Sequence, residues 1–196
     1  MLREEIMTNH QVNQPTLRHF IWMGSSRFCL AGGVVFATVA VGQGGLYQHL
    51  GVYGAYLFWT FLFMLLGGAL FSSLIMGPNR LVRSYSLFGL GFFLYAAAWV
   101  AAYFTVRGLP GEALGSLLGP VLMALGFMMV LGTRQALSKI IAGLVIAHSL
   151  GYFLGRPLLG ILGEQLGMIC WGLIYGLGFG AGLGYALFMA QTPLAE

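Results

Sequence analysis

Long apolar runs alternate with short polar breaks from one end of the chain to the other. Six runs stand out, at 28–46, 52–76, 85–106, 114–132, 140–155 and 166–190. An α-helix needs about 20 residues to cross about 30 Å of hydrocarbon, and most of these runs supply them. The fifth is shorter and glycine-rich, while the sixth is long enough to tilt or project. The pattern predicts an all-α polytopic membrane protein with six transmembrane helices, paired as three hairpins in a compact bundle. A tail with a short interfacial helix would occupy 1–27, the six-helix transmembrane domain 28–190, and a C-terminal tail 191–196.

Within the runs, small residues recur at helical spacing. Gly172, Gly176, Gly180 and Gly184 fall every fourth position in the sixth run, with Gly178 and Gly182 as a second row beside them. Rows of this kind let two helix backbones approach closely in a membrane, where packing rather than the hydrophobic effect joins helices. The fifth run carries a matching row, Gly143, Ala147, Gly151 and Gly155. The expected pairing sets this row against Gly172–Gly184 and leaves Gly178 and Gly182 for an outside partner. Trp22 is a further candidate partner contact. It lies in the segment 15–23, where Leu17, Phe20 and Ile21 share one face, and that segment reads as a helix at the headgroups.

Breaks between runs have turn chemistry. Gly77-Pro78-Asn79-Arg80 ends one helix and anchors the next, Leu109-Pro110-Gly111 reads as a turn, and Pro120 is a candidate kink. An internal repeat is also visible. Gly111-Glu112-Ala113-Leu114-Gly115 with Leu125-Gly126-Phe127 matches Gly163-Glu164-Gln165-Leu166-Gly167 with Leu177-Gly178-Phe179 at an offset of 52, as do Ser86 and Gly91 with Ser138 and Gly143. Gln48-His49-Leu50-Gly51 echoes this before the second helix, so the expected symmetry is quasi-threefold about the membrane normal.

Composition agrees with the pattern, at 59% hydrophobic and 7% charged residues. The net charge of +4 is dispersed, without the basic cluster that a nucleic acid requires. Its distribution instead predicts orientation. Arg3, Arg18, Arg27, Arg80, Arg83, Arg134 and Lys139 collect on one side and only Arg107 and Arg156 on the other. By the positive-inside rule both termini are cytoplasmic, in what reads as a bacterial inner membrane. The charged opening and the lack of an apolar core before Phe28 predict an uncleaved first helix, with Met7 as an alternative start. Asn13-Gln14-Pro15-Thr16-Leu17 departs at most positions from the signature of the acetate and succinate uptake family, and the signature of mitochondrial carriers is missing.

Candidate chemistry is sparse. No acid falls in a predicted membrane core, and no nucleophile has an obvious base, so the chain does not read as an enzyme. His148 is the one intramembrane imidazole, either hydrogen-bonded to a neighbouring helix or an axial ligand to a tetrapyrrole. Arg156 with Glu164, and Arg107 with Glu112, are expected to pair in the outer loops. The aromatic residues of the second and third helices read chiefly as lipid contacts and interface belts, with a pigment or quinone pocket as the sharper alternative. These features favour a non-enzymatic accessory or structural subunit, surrounded by lipid and packed into a homo-oligomer or larger membrane complex. The rival is a passive facilitator lined by glycines with Gln43, Ser72, Ser73, His148 and Ser149; a tetrapyrrole-binding subunit is the third reading. Cys29 and Cys170 lie near opposite ends of their helices, beyond the about 7 Å Cα limit for a bridge. Intact mass under non-reducing conditions, after thiol alkylation, is therefore expected to show two labels per chain; an internal bridge would overturn the predicted topology as well.

Overall fold

The computed structural model describes residues 16–132, 134 and 136–192, with backbone alone at 43 and 44. It is all-helical, with six helices long and apolar enough to cross a membrane: α1 Leu17–Gly42, α2 Gly45–Leu74, α3 Arg80–Val106, α4 Gly108–Leu131, α5 Leu137–Leu162 and α6 Glu164–Gln191. This is the architecture of an integral membrane protein. α1 and α2 form a near-continuous helical trace that nonetheless folds back on itself. The Phe28 ring lies 5.4 Å from Phe63, whereas a straight helix would separate them by about 50 Å.

α1 begins at Leu17, where the Thr16 hydroxyl accepts a hydrogen bond from the His19 N–H at 3.3 Å. The expected interfacial helix is therefore not separate but forms the first turns of α1. The reason is α6. Its glycine row extends as far as Gly184, whose surface is covered by the Phe20 backbone, and the Phe20 ring packs 5.6 Å from Phe188. Trp22 lies on the other face and is 72% exposed.

The two glycine rows of α6 are both occupied within the chain, in a pairing different from the expected one. Gly172, Gly176, Gly180 and Gly184 meet α1, at Gly32 and Phe36, Phe28 and Cys29, Gly24, and Phe20 respectively. Gly178 and Gly182, expected to be left for a partner, instead meet Ala147, Gly151 and Gly143 of α5. A Cβ on any of these six glycines would overlap backbone or the root of a side chain. α6 is thus wedged between α1 and α5, because rows four residues apart and offset by two lie on nearly opposite sides of one helix.

The connections differ in detail from the turn chemistry. Gly77 at φ 86° and Asn79 at φ 54° make the expected break between α2 and α3. Leu109-Pro110-Gly111 is not a turn but the first turn of α4, where proline's missing N–H costs nothing. The break falls one step earlier, at Arg107 with φ 59° and ψ 161°. Gly163 before α6 has φ 80° and ψ 167°, and Gly51 inside the first helical trace has φ 65° and ψ 176°. These three matching breaks are spaced 56 residues apart.

Packing follows the same spacing. Gly111 lies against Ala102 and Tyr103, and Gly167 against Leu158 and Leu159; Gly119 lies against Tyr95, and Gly151 against Tyr175. The offset of 52 would have set Gly167 beside Gly151, which does not occur. The discrepancy is four residues, about one helical turn. Glycines that recur every fourth residue match themselves equally well after a slip of that size.

The Arg107 backbone occupies a region that glycine adopts freely and other residues at a cost of about 1–3 kcal/mol. Arg107→Gly is accordingly expected to raise the thermal denaturation midpoint in detergent, and Gly163→Ala to lower it. Equal responses at the two positions would contradict the backbone conformations described.

Candidate functional site

Phenylalanines close the interior on the side of the molecule that carries both described ends of the chain. Phe28 is fully buried, and its ring centre lies 5.4 Å from Phe179 and 6.2 Å from Phe71. Phe63 and Phe92 stack at 5.1 Å. At this end the chain also ties off its free carbonyls. Arg27 donates to the Leu70 carbonyl at 2.7 Å and to the Ser73 hydroxyl. Gln191 donates to the Leu74 carbonyl at 3.0 Å and accepts from the Met76 N–H at 2.7 Å. These groups satisfy the end of α2, which has no following helical turn to do so.

In the other half of the bundle the helices diverge around a chamber of about 240 Å³. Its walls are aromatic: Phe36 from α1, Tyr47, Tyr56, Trp59 and Phe63 from α2, Phe92, Tyr95 and Trp99 from α3, Tyr152 from α5, and Trp171 and Tyr175 from α6. A second hollow, lined by Tyr103, Glu112, Arg156 and Pro157, shares Tyr56, Trp99, Tyr152 and Trp171 with the first, so it forms the mouth. Sequence patterning left this site half visible. Tyr56, Trp59 and Phe63 recur at helical spacing, as do Phe92, Tyr95 and Trp99, which puts each set on one face. Tyr53, Phe58, Phe61 and Phe93 from the same runs are exposed, in keeping with the lipid-contact reading.

His148 is fully buried behind the chamber wall. Its Nε2 lies 2.8 Å from the Tyr95 hydroxyl, which lies 3.0 Å from the Tyr175 hydroxyl. Its Nδ1 has no partner among the described residues. The ring is enclosed by Tyr152, stacked at 5.9 Å, and by Phe179 at 4.9 Å and Tyr175 at 5.4 Å, both edge-on. A macrocycle ligated at His148 would have to displace Tyr95 and its neighbours. The arrangement is that of an imidazole hydrogen-bonded to other helices. Of the other polar residues of the facilitator reading, Ser149 is not among those that line the chamber. Ser72 and Ser73 lie at the opposite end in the 3₁₀ turn that ends α2, and the side chain of Gln43 is outside the described residues.

The charged groups also pair differently from expectation. Arg156 meets Glu112 rather than Glu164, with Nη2 donating to Oε1 at 3.2 Å and Nε 2.7 Å from Oε2, off the line of a hydrogen bond. Glu164 and Arg107 are exposed. Sequence proximity favoured the local pairs. The observed pair crosses from α4 to α5, and at 7% exposure Glu112 is a buried acid inside a membrane-length helix. The Glu112 side chain is 10% exposed and that of Arg156 44%, so the cation covers the acid and faces the mouth.

Comparisons with protein-family models, with curated proteins and with solved structures found no match. Fold and site therefore define the class directly: a six-helix integral membrane protein with an aromatic chamber in one half. Tyr95 holds the polar cluster behind that chamber together. Tyr95→Phe is expected to destabilise the protein by about 1–3 kcal/mol, the cost of leaving His148 and Tyr175 unpaired in a buried site. Thermal or denaturant unfolding in detergent measures this, and a loss no larger than that of a lipid-facing Phe93→Leu would contradict it.

Proposed function

We propose that this protein is a non-enzymatic membrane protein that binds a small solute in the aromatic chamber. The observation that carries this reading is the chamber itself: eleven aromatic side chains from five helices converge without filling the space between them. Elsewhere the interior is closed by glycine contacts and stacked phenylalanines. Such a site, concave, apolar and provided with a few convergent polar groups, is the usual form of a small-molecule pocket.

The basic residues Arg18, Arg27, Arg80, Arg83, Arg134 and Lys139 support cytoplasmic termini in a bacterial inner membrane, which turns the mouth outward. The matching breaks at Gly51, Arg107 and Gly163 support three helix pairs related by a 56-residue repeat, with the chamber near their common axis. Layers of equivalent buried residues, such as Phe71, Phe127 and Leu183, point the same way. A facilitator built on this frame would require the Phe28 cluster to part. An accessory subunit would have to use the lipid-facing surface, since both glycine rows of α6 are filled from within.

Three of the four tryptophans, Trp59, Trp99 and Trp171, line the chamber, and Trp22 does not. In a Trp22→Phe variant the intrinsic fluorescence therefore reports on the chamber. A small brominated arene is expected to quench it saturably in nanodiscs. Quenching that rises linearly with lipid partition, with no saturation, would refute the binding reading.

A further inference from the structure

The chemistry of the chamber's ligand follows from the hydrogens that its walls have to offer, provided that the chamber is a binding site. His148 can carry its proton on either nitrogen. On Nδ1 the proton would be a buried N–H donor with no acceptor among the described residues, a rare and costly state. On Nε2 it is used: His148 donates to the Tyr95 oxygen, Tyr95 donates to the Tyr175 oxygen, and the Tyr175 O–H is left to donate elsewhere. Tyr175 lines the chamber. The relay from α5 through α3 to α6 therefore ends in a free O–H on a residue that lines the chamber.

A second donor has the same character. Trp59 is 7% exposed and lines the chamber, and its indole N–H has no partner among the described residues. Buried Trp N–H groups usually find an acceptor. At the mouth, the charge that faces outward is again a donor, because Arg156 covers Glu112 and keeps N–H groups beyond the one it donates to the carboxylate. The Tyr175 O–H, the indole N–H groups of Trp59 and Trp99 and the outward N–H groups of Arg156 thus lack an acceptor among the described residues, whereas Trp171 and Thr60 direct their donors at the Tyr152 and Tyr56 carbonyls. Arg156 is one helical turn beyond Tyr152, and Trp171 one turn before Tyr175; a turn is about 5.4 Å. Tyr175 lies against Gly151, five residues or about 7.5 Å along the helix from Arg156, a span that one small molecule can cover.

We propose that the ligand is a small aromatic carboxylate whose ring carries a hydrogen-bond acceptor. The ring lies between the aromatic walls, its acceptor receives the Tyr175 O–H and the Trp59 N–H, and the carboxylate meets Arg156 at the mouth. An organic cation, which aromatic walls can also hold, would leave all three donors unanswered and would face the Arg156 charge.

Titration calorimetry on the full chain in nanodiscs separates the possibilities, with three ligands of similar size as probes. Quinoline-4-carboxylate has both features, 1-naphthoate the carboxylate alone, and 4-methylquinoline the ring acceptor alone. The acid with the ring nitrogen is expected to bind about tenfold or more tightly than either other probe, as for one charge-assisted or buried hydrogen bond. Glu112→Gln, which releases Arg156, is expected to widen the preference for the acids. The Glu112→Gln, Arg156→Gln double variant, which leaves no orphan charge, is expected to abolish it. If 4-methylquinoline binds as tightly as the acid, the carboxylate assignment is wrong while the chamber remains a binding site. If none of the three binds saturably, the assignment and the binding reading both fall.

Discussion

Everything in this fold depends on how closely α6 lies to its two neighbours. In lipid there is little hydrophobic gain from bringing helices together, so association rests on packing, and packing is best where backbones touch. Gly176 against Cys29 on one flank, and Gly178 against Gly151 on the other, are contacts that no side chain could enter. These contacts run from Gly172 to Gly184. Toward the start of α6 the surface is formed instead by Trp171 and Met168, and there the helices stand apart. The chamber lies where the glycine contact with α1 ends. One helix therefore sets both the tight half of the bundle and the open half.

The few polar groups are arranged around that division. At the tight end Arg27 and Gln191 satisfy carbonyls released where α2 stops. At the open end Glu112 and Arg156 join α4 to α5 at the mouth. The ion pair is weak evidence for stability, since removing charges from water costs about as much as their attraction returns. Its position is more informative. A buried acid in a membrane-length helix, covered by a cation that faces a cavity, keeps the bundle's interhelical charge pair at the mouth rather than in the tight half.

How much of this was legible varied with the kind of information required. The six spans, their order and the glycine rows are properties of local composition and spacing, so they could be read residue by residue. The faces of Tyr56, Trp59 and Phe63, and of Phe92, Tyr95 and Trp99, were equally readable, but nothing local says whether a face meets lipid or other helices. Residue matches pointed to a spacing of 52, whereas the matching breaks at Gly51, Arg107 and Gly163 stand 56 apart, about one turn more. In a chain where glycine recurs every fourth residue, sequence identity cannot distinguish a correct register from one shifted by a turn. Only the left-handed breaks at Gly51, Arg107 and Gly163 mark the period, and Arg107 concealed one of them by not being glycine.

From residue order alone came a membrane protein, its number of spans, the expected side of its termini and the surfaces on which its helices could meet. Which surface meets which was decided by tertiary structure. Both rows of α6 are chemically suited to α5, and the choice depends on α1 competing for one of them with Phe20, Gly24, Phe28 and Gly32. Glu112 could pair locally or across the bundle, and packing of α4 on α5 brought it to Arg156. His148, Tyr95 and Tyr175 stand on three separate helices, so their hydrogen-bonded relay exists only once those helices have packed. Spacing along a chain determines what one helix can offer, and contact between helices determines what is used.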